Sequence, residues 1–202
     1  MKALVINCTL KRSPDSSNTE ALARVVTDQL EKDGVEVDVV RAVDLDIAPG
    51  VTSEAVHDGD MWPRVHDKLL SSAILVVASP TWLGRPSSVA QRVLERMDAM
   101  MSETDDEGRP VAYNRVAGVV VTGNEDGAHH VISEISGALA DIGYTVPGQA
   151  WTYWHLGPGP GPDYLDDERG HEWSDRTGRA MAANLHGVAR ALAERPLGAP
   201  PG

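Results

Sequence analysis

The chain has 202 residues, 18 of them basic and 30 acidic, for a net charge of −12. That length suits one domain with a core needing neither disulfide nor metal, and the acidic balance argues against nucleic acid, whose phosphates need a basic face. The single Cys8 excludes an internal disulfide and fits a reducing compartment, and no apolar run approaches a membrane span.

The opening "MKALVINC" is too short in its apolar stretch for a signal peptide. The expectation is therefore a cytoplasmic protein that uses no membrane. "KALVINC" is a short apolar run of the kind buried on both faces of a parallel sheet. Leu22, Val25, Val26 and Leu30 then share a helix face that stops at Gly34. "VEVDVV" is the second strand, and Arg41 to Asp60 looks like a loop of mixed polarity.

"HDGDMWPRVHD" matches no metal template and reads as a solvated loop leading into a helix. No metal site is expected. "AILVVAS" is the third strand, and Val89, Val93, Leu94, Met97 and Met101 form the next helical stripe. "VAGVVVTG" is the fourth, followed by a stripe of Val131, Ile132, Ile135, Leu139 and Ile142 that ends at Gly143. "YTVPGQAW" is a weaker fifth strand, and Met181, Leu185, Val188 and Leu192 mark a last amphipathic helix.

Strand and helix alternate about five times, which argues for a doubly wound α/β domain with a five-stranded parallel sheet and helices on both faces. One domain over residues 1–195 is expected. It carries a Gly/Pro-rich insertion near 152–172 and a flexible tail at 196–202. In such sheets ligands bind beyond the carboxyl ends of the strands, so three loops matter most.

The first, "NCTLKRSPDSSNTEAL", holds no glycine. Its "SNTE" is a capping box, in which Ser17 accepts from the amide three residues on and Glu20 reaches back. A good helix start is the plain explanation. The helix N-terminus is also an anion site, to which Thr9, Ser17, Asn18 and Thr19 add donors and Lys11 or Arg12 adds charge. Neither a dinucleotide fingerprint nor a P-loop occurs.

The second loop, "SPTWLGRPSS", puts Trp82 at the sheet edge, to pack under a helix or to lie beside a flat heterocycle, with Gly84 permitting close approach. The third, "TGNEDGAHH", reads as a turn capped by Asp126, or as amides and the Asn124 side chain offered to an acceptor-rich ring edge.

Together these loops resemble the three flavin-contacting loops of the flavodoxin-like NAD(P)H-dependent FMN reductase and quinone reductase superfamily. The likeness covers roughly residues 2 to 150. It implies FMN as cofactor, with Thr9, Lys11 or Arg12, Ser17, Asn18 and Thr19 at the phosphate. Pro80, Thr81, Trp82, Leu83 and Gly84 would lie beside the isoalloxazine, and Thr122, Gly123, Asn124 and Glu125 at its pyrimidine side. Cys8 and Leu10 stand where the family usually has Gly and Pro.

The resemblance implies NADPH or NADH as donor and a small-molecule acceptor such as a quinone or free flavin. It leaves open an electron-carrying flavodoxin-like module without NAD(P)H turnover, or a domain that has lost its flavin. The Lys-Arg pair replaces the cation-free phosphate loop of flavodoxins and favours the reductase branch. Because a flavin carries the chemistry itself, no nucleophile or base need be visible. His129 and His130 open a helix, and one of them, His129 first, is a candidate to donate a hydrogen bond to substrate or a flavin oxygen, against the plainer reading of an exposed helix-start histidine. The aromatic-flanked "GPGPGPDY" is expected to act as a lid or as a contact in a homodimer or homotetramer.

Overall fold

In a computed structural model, residues 1–201 are described. Five parallel strands form the sheet: β1 (Lys2–Asn7), β2 (Glu36–Arg41), β3 (Ile74–Trp82), β5 (Val116–Thr122) and β6 (Trp151–Trp154). They lie in the order β2-β1-β3-β5-β6, and the two-residue β4 (Arg85–Pro86) turns back on β3. The strand order reverses at β1, so the chain leaves β1 and β3 in opposite senses and opens a crevice at their carboxyl ends.

The buried apolar residues of β1 explain its central place. Leu4 and Ile6 enter one core, Ala3 and Val5 the other. The first core is closed by α2 (Trp62–Ser71), α3 (Ser88–Met97) and α4 (Ala128–Ile142), and the second by α1 (Asn18–Lys32) and α5 (His171–Glu194). Among the described residues no helix is long and apolar enough to cross a membrane.

Several elements depart from the pattern seen in the sequence. The fifth strand starts only at Trp151, and Thr145 makes an isolated bridge to Val116 instead. The stripe through Met101 breaks because α3 gives way at Asp98 to a 3₁₀ turn, which buries Met100 and exposes Met101. The insertion is shorter than 152–172: Thr152 to Trp154 belong to β6 and His171 begins α5. Of the tail, Leu197 exchanges two hydrogen bonds with Asn114, its amide donating at 2.7 Å and its carbonyl accepting at 3.2 Å. Gly202 lies outside the described residues.

The cluster around Asp60 is not simply solvated. Asp60 and Arg96 form a fully buried ion pair at 2.7 Å. Asp60 also accepts from the amides of Val56 and Trp62 at 3.0 Å, while Arg96 donates to the carbonyls of Ala48, Thr52 and Glu54. This pair pins the long connection after β2 onto α3. A buried charge pair persists when its remaining donors and acceptors are satisfied.

Candidate active site

The crevice beyond β1, β3 and β5 is a cleft open to solvent. The first loop contributes Thr9, Leu10 and Lys11, and the start of α1 contributes Asn18 and Thr19. Pro80, Thr81 and Trp82 come from the end of β3, and Thr122, Gly123 and Asn124 from the end of β5. Asp163 and Tyr164 close one side.

Ser17 is the N-cap of α1. Its hydroxyl accepts from the Glu20 amide at 3.1 Å, so the first turn is fixed with its leading amides at the cleft. The expected return bond from Glu20 is replaced, because its carboxylate meets Arg41 and the Asn7 amide group instead. Thr19 and Thr122 share a hydrogen bond of 2.8 Å, which ties the first loop's helix to the end of β5.

Trp82 ends β3 half-exposed, at 51 %, with its ring bordering the cleft rather than packed under a helix. Leu83 (φ 51°) and Gly84 (φ 72°) form the two-residue turn into β4, whose right-handed twist needs positive φ at both places. The Thr81 hydroxyl is buried without a hydrogen-bond partner, on a residue that lines the cleft.

Six of the sequence-derived candidates do not line it. Ser17 is buried in its capping role. Arg12, one residue beyond Lys11, faces a neighbouring groove with Asp44 and Arg92. Leu83 is 92 % exposed and Gly84 is spent on the hairpin turn. Glu125 lies against Gly159, and its buried Oε1 has no partner. His129 sits on the outer side of α4, edge-on to Trp151 and Tyr153 at 5.6 and 5.0 Å.

The cap of α4 is Gly127 with φ 107°, not Asp126, and a β-carbon at 127 would stand 2.6 Å from the Gly84 backbone. Cys8 faces the core and burial pushes its thiol up to about 12. It is therefore no nucleophile at neutral pH.

The sequence reading missed Leu10, Asp163 and Tyr164 as lining residues. The last two arrive because the Gly-Pro segment folds back over the third loop. The Gly161 amide donates to the Asn124 carbonyl at 2.7 Å, and the Leu165 amide to the Asn18 side chain at 3.1 Å. Tyr164 is then held by stacking on His171, 4.0 Å between ring centres. The aromatics flanking the Gly-Pro run were the available signal.

The profile of the family described as NADPH-dependent FMN reductase matches residues 1–157. The chain belongs to the NADPH-dependent FMN reductase family. The family's description names NADPH as the reductant and FMN as the flavin. The matched range contains all three loops.

The chain is 38 % identical over 206 residues to the 8-demethyl-8-aminoriboflavin-5'-phosphate synthase of Streptomyces davaonensis, covering 97 % of this chain and 80 % of that one. It is similar in structure to RosB, crystallised with the intermediate 8-demethyl-8-formylriboflavin-5'-phosphate. There the TM-score is 0.87 and the identity 36 %, covering 98 % of this chain and 82 % of that one. It is also 41 % identical over 198 residues to the protein named divalent metal cation transporter MntH of Mycobacterium bovis. That match covers 95 % of this chain but only 29 % of the transporter.

Proposed function

We propose that the cleft holds FMN, and that the protein passes reducing equivalents from NADPH or NADH to a small acceptor such as a quinone or free flavin. The observation that carries this reading is the convergence of three loops, each following a strand, on one crevice with a capped helix N-terminus at its edge. The lining suits the cofactor. The free amides and dipole of α1 favour a phosphate, and Lys11 supplies a cation beside it. Thr9, Asn18 and Thr19 add polar side chains at the same end.

On the β3 side the unpartnered Thr81 hydroxyl is a buried polar group that needs a partner. Trp82 offers an aromatic face to a flat ring, and Thr122, Gly123 and Asn124 offer polar atoms to its edge. When bound, the flavin supplies hydride acceptance and donation. The chain's own residues bind and orient it. Leu83 and Gly84 form the turn into β4, and Arg12, Glu125 and His129 stand outside the cleft lining.

Titration with FMN should quench part of the tryptophan fluorescence and saturate near one FMN per chain. Under anaerobic conditions NADPH or NADH should bleach the complex, and a quinone should restore its colour. Reduction by dithionite but by neither nicotinamide would leave an electron-carrying module in place of an enzyme.

A second reading is favoured by the likeness to the aminoriboflavin-phosphate synthase: the flavin is itself the substrate. Mass spectrometry of flavin recovered after turnover separates the two. An unchanged FMN mass fits a cofactor, and an altered one fits a substrate. We further propose a cytoplasmic homodimer or homotetramer. The stacked Trp151 and Tyr153 of the edge strand β6, with His155 just beyond it, support self-association, and light scattering that returns a monomer would exclude it.

A further inference from the structure

The first loop poses a physical problem that its missing glycines make sharp. Loops that cradle anions usually turn their amides inward through residues at positive φ. Among the described residues the only non-glycine positions at positive φ are Leu83, Asn114 and Gln149, none of them in this loop. Its shape is instead held by hydrogen bonds, some within the loop, such as the Lys11 amide to the Thr9 hydroxyl at 3.3 Å, and some from neighbouring elements.

Arg41, the last residue of β2, makes the widest of these external contacts. One terminal nitrogen of its guanidinium donates to the Lys11 carbonyl at 3.3 Å and to the Asp15 carbonyl at 2.8 Å. The other terminal nitrogen is paired with the Glu20 carboxylate in the first turn of α1. In a planar trans peptide the N–H points opposite to the C=O. Drawing the Lys11 and Asp15 carbonyls toward Arg41 thus turns the amides of Arg12 and Ser16 away from it.

The Arg41 side chain is only 12 % exposed, and it is absent from the cleft lining. Three of its donors meet acceptors of the chain, so it works from behind the loop. A planar fork presents its donors from separate nitrogens in fixed directions, whereas an ammonium offers all three from one atom.

We infer that Arg41 is the positioning residue of the phosphate loop, setting the geometry with which the loop receives the flavin phosphate without touching it. The inference rests on the reading that this loop is the phosphate site.

The test compares FMN with riboflavin on the full chain, with hydrogen exchange of the flavin-free protein as a second readout. Arg41→Ala should weaken FMN binding about tenfold or more, change riboflavin binding less than about twofold, and speed exchange over residues 11–16. Arg41→Lys, which keeps the charge and loses the fork, should recover only part of the FMN preference. If the alanine chain does not fold, Arg41→Gln carries the same expectation. An unchanged FMN-to-riboflavin ratio in a folded variant overturns the inference, and so does full recovery by lysine, since charge alone would then suffice. Equal binding of FMN and riboflavin by the unmodified chain fails differently, because it removes the phosphate reading beneath it.

Discussion

The two walls of the cleft are built by opposite means. The first loop has no glycine and is held by side chains: Asn7 accepts from the Thr9 amide at 3.1 Å, Asp44 from the amide and hydroxyl of Ser13, and Arg41 grips two carbonyls. The third loop is held through glycines that let backbones touch. Gly127 lies against Gly84, and Gly159 lies against Asn124 and Glu125 closely enough that a β-carbon would stand 2.7 Å from Glu125. Side-chain bracing leaves a wall that can be loosened one hydrogen bond at a time. Backbone contact leaves one that tolerates almost no added atom.

That difference can be broken most severely at Gly127. Gly127→Val places a branched side chain at φ 107° and against the Gly84 backbone. It should cost about 3 kcal/mol, seen in a calorimetric scan as a melting point lower by about 6–12 °C, together with lost FMN binding. A melting point within about 2 °C of the parent would mean that the two loops do not bear on each other.

A smaller effect is expected from Ser17→Ala, which removes the cap of α1 and the partner of the Glu20 amide. The loss should be about 1 kcal/mol, read from urea unfolding. It should loosen the first loop and leave amide exchange at residues 123–127 unchanged.

The smallest effect is a matter of pH. The hydrogen bonds from the Ser13 hydroxyl and amide hold the Asp44 carboxyl below its ordinary range. A depressed carboxylate contributes bracing above the unfolded value, about pH 4, and loses it as pH falls through its own lower value. Exchange over residues 11–16, corrected for its intrinsic pH dependence, should therefore quicken in that acid window. Residues 123–127, held by backbone packing, should not follow. Parallel quickening of both segments would mean general acid loosening, and Asp44→Asn should abolish the selective response.

Much of this was determined by the sequence alone. The doubly wound sheet followed from apolar runs such as "ALVI" and "ILVV", because strands buried on both faces carry no polar alternation. The three loops followed from their places after those runs. Periodicity says which face of an element is buried, but not what a loop residue meets across the fold. Only the tertiary structure parted Lys11 from Arg12, since adjacent residues on an irregular segment face different grooves. It alone assigned Gly84 and Gly127 to each other, 43 positions apart in the chain. It also brought Arg41 beneath a loop some 30 residues earlier, because the parallel pairing of β1 with β2 sets Asn7 beside Arg41. Contacts of that range depend on register and strand order, and no local run of residues encodes them.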